Sequence, residues 1–394
     1  MRLSKRLPED LTDSPFFSQL SKLKRSVRDY ADLTVSSPLR TGQAFDLQSV
    51  LPEALEKFST WNPDACGWED ARKAVAKYYA DRGGNFDAED IQLTSSTSEA
   101  YSILFKTLCN PGDTILTPLP GYPLLDSLAA LEFLKTAPYF SELDGGKWKL
   151  DSNSLYAFPP HSKILLIVSP NNPTGHVLSK EEWADAVEFA SREDMAIVVD
   201  EVFSDFIYDG TERPWNWDSK DVPVFFLGGF SKSVGSPQLK LGWIAYRAGR
   251  LKNVLKPALE YVADAYLSVA SPAFALATPM LQKSIEYEKT IEELNEQFND
   301  LQEERDQVQG TIIMFGKRAR LEQLDHSIRE TERKRNIQHQ IDNLRTERKN
   351  AGNPTYEKGN PKELSPAFRI KCAISIFAQC DGFSEWGNNA ERKR

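Results

Sequence analysis

Between residues 91 and 246 short apolar runs alternate with segments of helical spacing. Ile91–Thr94, Thr114–Thr117, Leu134–Phe140, Lys163–Ser169, Met195–Asp200, Val222–Phe230 and Trp243–Tyr246 read as strands. Ala100–Cys109, Leu124–Phe133 and Lys180–Ser191 read as the helices between them. Strands separated by helices predict an α/β fold, a mostly parallel sheet covered on both faces. Upstream, helical periodicity marks Leu51–Phe58 and Trp68–Tyr79, where Ala71, Val75 and Tyr78 or Tyr79 share a face; Gly83-Gly84 ends the second helix. The stretch Phe16–Leu33 permits one more helix before the turn-rich Ser36–Gly42.

The pattern changes beyond residue 283. Tyr287, Ile291, Leu294, Phe298, Leu301 and Val308 follow the spacing of a long amphipathic helix. Lys317–Asn350 is denser in charge, Asn350–Leu364 reads as a Pro/Gly-rich linker, and Ala367–Phe377 as a final strand. These shifts divide the chain into an N-terminal arm (1–45), a large α/β domain (46–282) and a C-terminal segment of charged helices and a last strand (283–394).

At 394 residues the chain is long enough for one large domain and a smaller one. A net charge of −9, with no basic block before about residue 280, argues against a nucleic-acid or anionic-membrane surface. The four cysteines form no CxxC and no metal spacing, which fits a reducing, cytoplasmic compartment. No apolar run reaches membrane-spanning length and the first residues lack an apolar leader core, so a soluble protein is expected.

Candidate chemistry gathers where strands end. Ser169-Pro170-Asn171-Asn172-Pro173-Thr174-Gly175 follows one strand, Asp200-Glu201-Val202-Phe203 closes another, and Phe230-Ser231-Lys232-Ser233 a third. An amide, a carboxylate and an amine thus reach the C-terminal edge, where open α/β sheets place ligands. Ser95-Ser96-Thr97 opens a helix with a cluster of hydroxyls. Taken singly, each has a plainer reading: Asn-Pro-Thr-Gly is a common turn, Ser-Ser-Thr a common helix cap, Asp-Glu a cap, and a strand-end lysine a surface residue.

Taken together and in order, these motifs resemble the class I/II (aspartate-aminotransferase-like, fold type I) pyridoxal-phosphate enzymes over roughly residues 20–300. The separations Asn172 to Asp200 and Asp200 to Lys232 are near the family's. The resemblance implies a mostly parallel seven-stranded sheet, a small domain built from both termini, and a homodimer with two sites at its interface. It implies pyridoxal 5'-phosphate as cofactor, with Lys232 as the Schiff-base amine and Ser231 beside it. Asp200 would hold the pyridine nitrogen's proton, and Asn172 would donate to the ring oxygen. Ser95, Ser96 and Thr97 would bind the phosphate, helped by Lys240 in the place of an arginine, and Tyr122 would stand near the ring. A lysine at 240 keeps the charge and loses the bidentate fork. On the substrate side, Ser37 and Asn172 fall near expected positions, and Arg369 is the candidate for the substrate carboxylate.

The departures are Phe203 in place of a tyrosine that donates to the ring oxygen, Gly229 in place of a phosphate-binding serine, and Trp61 in place of a tyrosine reaching the neighbouring subunit. No counterpart of the family's Gly-Gly-aromatic stretch is found. The expected activity is transfer of an amino group between an α-amino acid and a 2-oxo acid, with small-molecule partners, no nucleic acid and no membrane. A carbon–sulfur β-lyase using the same cofactor is one alternative. The other is a catalytically weak relative serving as an assembly or regulatory module.

Overall fold

The computed structural model of the chain describes residues 45–207 and 212–286, together with 4–7 and positions 22, 25, 37, 39 and 300. The expected final strand, the linker and nearly all of the charged helical run lie outside these residues, as does Arg369; of Phe16–Leu33, Lys22 and Arg25 are described and are helical.

One eight-stranded sheet organises the described chain. Its strands are β1 (Ile91–Thr94), β2 (Thr114–Leu119), β3 (Lys135–Asp144), β4 (Lys147–Leu150), β5 (Ser162–Val168), β6 (Ala196–Asp200), β7 (Val224–Gly229) and β8 (Gly242–Arg247). They lie in the order β1-β8-β7-β6-β5-β2-β3-β4. The central strands β7, β6, β5, β2 and β3 run parallel, β8 runs against β7 and β1, and β4 runs against β3. The expectation of seven strands is therefore short by β4. Gly145 and Gly146, at φ +56° and +83°, make the tight turn that folds Lys147–Leu150 back along β3. Lysines 147 and 149 are exposed on this edge strand, where charge discourages pairing with another chain.

Alternation along each strand separates two cores. Ile197, Val199, Val224 and Phe226 pack on one face with α1 (Glu69–Ala80), α4 (Lys180–Arg192) and the helical residues 271–286. Ala196, Val198, Phe225 and Leu227 pack on the other with α2 (Thr97–Leu108), α3 (Leu124–Leu131) and α5 (Leu255–Asp264). A strand's side chains have period two, so the last residue of β6 and the residue after it face opposite cores.

The edge at which β5, β6 and β7 end is also where β1 ends and β8 begins, since Thr94 and Gly229 both pair with Gly242. Gly242 lies against the start of α2. A Cβ there would sit 2.8 Å from the Ser96 carbonyl carbon and 2.9 Å from the Thr97 nitrogen, both backbone atoms. A Cβ at Gly229 would meet the Leu241 carbonyl oxygen at 2.9 Å and Gly242 Cα at 3.0 Å. This pair of glycines lets β7, β8 and the first turn of α2 close on one another. Gly242→Ala is expected to destabilise the chain by about 1–3 kcal/mol by forcing these backbones apart. An unchanged denaturant midpoint would contradict so tight an approach.

Candidate active site

Lys232 sits in a turn that folds back over the end of β7. Ser236 N–H donates to the Phe230 carbonyl at 2.9 Å, Gly235 N–H to the Lys232 carbonyl at 3.2 Å, and Ser233 Oγ to the Gly229 carbonyl at 2.7 Å. Gly235 takes φ +60°, which a side chain would resist. The lysine and Ser231 are half-buried, and Lys232 Nζ stands 5.3 Å from the centre of the Phe203 ring. Phe203 thus offers an aromatic face to a cation and carries no hydroxyl to donate.

Asn172 is presented by a turn that its neighbour builds. Asn171 Oδ1 accepts from Thr174 N–H at 3.2 Å and Thr174 Oγ1 at 3.0 Å, and the Asn171 carbonyl accepts from Gly175 N–H at 2.8 Å. His176 joins this turn to the start of α4 through Glu182, 3.1 Å away. With these bonds made by Asn171, the Asn172 amide is left over: it is buried and its Oδ1 has no hydrogen-bond partner.

Asp200 ends β6 and is only 6% exposed. Its Oδ2 accepts from the Tyr101 hydroxyl at 2.6 Å and its Oδ1 from Val202 N–H at 3.2 Å. Burial pushes its pKa above the ordinary carboxylate value, while Tyr101, Val202 N–H and the charge of Lys232 pull the other way. Glu201, the next residue, faces the opposite core and is buried there. Its Oε1 accepts from the Tyr79 hydroxyl, which itself accepts from Trp243 Nε1 at 3.0 Å, and its Oε2 has no partner. Burial, then Asp205 and Asp200, push Glu201 well above the ordinary glutamate value, against the Tyr79 bond. Burial thus favours the neutral form of Glu201.

The start of α2 completes the edge. Ser96 caps the helix, its Oγ accepting from Glu99 N–H at 3.1 Å, while the Glu99 carboxylate accepts from Ser95 N–H. The first-turn amides of Thr97 and Ser98 point out of the helix, and its dipole favours an anion there. Ser95, Ser96 and Thr97 are half-buried. Lys240 is exposed two residues before Gly242, in a left-handed conformation at φ +53°. Tyr122, at the margin of exposure, feels the Asp200 charge, which together with burial raises its phenol. Ser37 is half-buried. The Ser95–Thr97 cluster, Asn172, Asp200 and Lys232 thus share one edge. Sequence reasoning missed Tyr101 and Tyr79. A tyrosine on the apolar face of a helix signals a buried hydroxyl seeking a partner, but Asp200 is 99 residues from Tyr101 and Glu201 is 122 from Tyr79.

These donors fit pyridoxal phosphate. A helix start with hydroxyls suits the phosphate, the NH2 of the buried Asn172 can donate to a ring oxygen, and a buried carboxylate needs a nearby cation. Among the described residues no group of His, Cys, Asp and Glu is arranged to hold a metal ion, and no helix is long and apolar enough to cross a membrane.

Comparison with known proteins bears on the family and the fold. The sequence model described as "Aminotransferase class I and II" matches residues 28–313. Human tyrosine aminotransferase is 30% identical over 203 residues, covering 50% of this chain and 44% of that protein. The glutamate-pyruvate aminotransferase AlaA of Escherichia coli K12 is 28% identical over 239 residues, 58% of each chain. The matched region thus spans about half the length of these curated relatives. Among solved structures, an alanine aminotransferase from Pyrococcus furiosus superimposes with a TM-score of 0.62 at 22% identity, covering 76% of this chain and 79% of that one. An aminotransferase from Escherichia coli gives 0.61 at 25%, covering 71% of each.

The buried Glu201 makes a measurable demand on stability. Its folded pKa lies above the unfolded value of about 4.3. Its contribution is full below that value and is lost as pH rises toward the folded pKa. Glu201→Gln removes this titration, so the variant should gain on the unaltered chain by up to about 1.4 kcal/mol per pH unit as pH rises above the unfolded value. Denaturation curves whose difference stays flat with pH would show that Glu201 is not held neutral.

Proposed function

We propose, from the premise that this chain belongs to the class I and II aminotransferase family, that it is a pyridoxal-phosphate-dependent aminotransferase acting on an α-amino acid and a 2-oxo acid. The observation that carries this reading is the convergence of Asn172, Asp200 and Lys232 at the ends of neighbouring strands, beside the open helix start at Ser95–Thr97. When bound, the cofactor supplies an aldehyde that captures amines and a protonated ring that draws electron density from the substrate carbon.

The role of each residue follows from its surroundings. The first turn of α2 with Ser95, Ser96 and Thr97 would hold the phosphate, with the Lys240 charge in support. Gly229 contributes no hydroxyl there, because the Leu241 backbone occupies the space a side chain needs. Asp200 would keep the ring nitrogen protonated, since a cation beside it relieves the cost of burying its charge. Asn172 would donate to the ring oxygen without help from Phe203, and Tyr122 and Ser231 would flank the cofactor. Lys232 would hold the cofactor through its Nζ, and that amine, when free, would act as the general base toward the proton on the substrate Cα. Ser37 and Arg369 are the proposal's substrate side, drawn from the N-terminal arm and the C-terminal segment that flank the large domain at 46–282.

A homodimer and a reducing, cytoplasmic setting belong to the same reading. Trp61, Tyr261 and Leu267 stand 67%, 84% and 71% exposed, and the Trp61 loop is bonded to the stretch after α5 by Ser268–Asp64 and Ser271–Thr60 contacts. This apolar surface supports a second copy as its cover. Cys66 and Cys109 are free thiols, pushed up to about 12 chiefly by burial. Cell fractionation that found the chain in an oxidising compartment would contradict the setting.

The full chain mixed with pyridoxal phosphate is expected to gain a visible absorption band that an amino acid bleaches and a 2-oxo acid restores. Borohydride should fix the cofactor to the peptide containing Lys232, and light scattering should give twice the chain mass. No band, or pyruvate and ammonia released from a cysteine-type substrate without an acceptor, would contradict transamination. A monomer that turns over would contradict the dimer.

A further inference from the structure

We propose that Tyr101 is a positioning residue for Asp200: its buried hydroxyl fixes one carboxylate oxygen and makes the carboxylate a better partner for a protonated ring nitrogen than it would be alone. This inference rests on the cofactor reading above and adds a residue to it.

Alternation along β6 sends Asp200 toward the core that holds α2, and Tyr101 is the polar group waiting there, 2% exposed and packed near the Phe105 ring. Its hydroxyl lies 2.6 Å from Oδ2, while Val202 N–H holds Oδ1 at 3.2 Å. The two donors, one on each oxygen, fix the plane of the carboxylate and leave each oxygen capacity for a second bond. The Tyr101 proton stays in place, because burial and the Asp200 charge raise the phenol well above its ordinary value. A donor that cannot ionise stabilises the charged form of its acceptor, and the charged form attracts a ring cation.

Tyr101 also ties this carboxylate to the helix start. It follows Thr97 by four residues, about 6 Å along the axis of α2. One rigid helix therefore carries both the first-turn amides and the group that orients Asp200. Displacement of either end moves the other. A role in filling the core would need the ring alone, and phenylalanine would serve it.

The test compares two probes on the full chain and on Tyr101→Phe: pyridoxal phosphate, and its 1-deaza analogue, in which carbon replaces the ring nitrogen. Dissociation constants come from equilibrium dialysis, with no turnover required. The unaltered chain should prefer the natural cofactor. Tyr101→Phe should weaken that cofactor about tenfold while shifting the analogue by less than about twofold, collapsing the preference. Equal weakening of both probes would overturn the positioning role and leave the cofactor reading standing. An unaltered chain that binds neither probe would overturn the cofactor reading and this inference with it. Incorporation of 3-fluorotyrosine at 101 keeps the ring and strengthens the donor, so it decides the matter even if the phenylalanine variant does not fold. It should widen the preference; an unchanged or narrower preference would count against the proposal.

Discussion

A carboxylate buried at a strand end must be neutralised, hydrogen-bonded or matched by a cation. The chain meets this constraint twice in succession and in different ways. Asp200, on the α2 face, has its pKa raised by burial, against the pull of its two hydrogen bonds and of the Lys232 charge. Glu201, on the α1 face, shares one hydrogen bond with Tyr79, keeps an unpaired oxygen and has its pKa pushed up chiefly by burial. The pleat of β6 thus turns two adjacent acids toward opposite cores, with different partners. That division lets a single strand end serve both function and packing.

The close packing around this strand end explains departures from the family pattern. Gly229 and Gly242 face each other across β7 and β8, with the first turn of α2 against Gly242. A serine at 229 has no room, so in the proposed site the phosphate would fall to the helix start and its hydroxyls. Phe203 likewise gives up a donor and gains a ring face toward Lys232. In the proposed site both changes would leave polar recognition to fewer groups, Asn172 and Asp200 among them.

Much of the architecture was legible because burial leaves a periodic trace. The continuous apolar runs at 164–168, 196–199 and 224–227 are strands covered on both sides, and the residues ending them were the candidates for chemistry. Strand β4 is absent from the expected strands because two of the four residues in Lys147-Trp148-Lys149-Leu150 are charged; Asp144-Gly145-Gly146 is the turn signal that marks it. Tyr101 and Tyr79 were legible as core positions but not as partners, since only the fold brings them to Asp200 and Glu201. The unpartnered Oδ1 of Asn172 is equally hidden: which of two adjacent asparagines makes the turn depends on how Thr174 and Gly175 fold over Asn171.

The most direct test is a crystal structure of the full chain grown with pyridoxal phosphate. The account predicts continuous density from Lys232 Nζ to the cofactor, the ring nitrogen within hydrogen-bond reach of Asp200, and the phosphate on the amides of Thr97 and Ser98. Cofactor bound elsewhere, or a ring nitrogen turned away from Asp200, would contradict it.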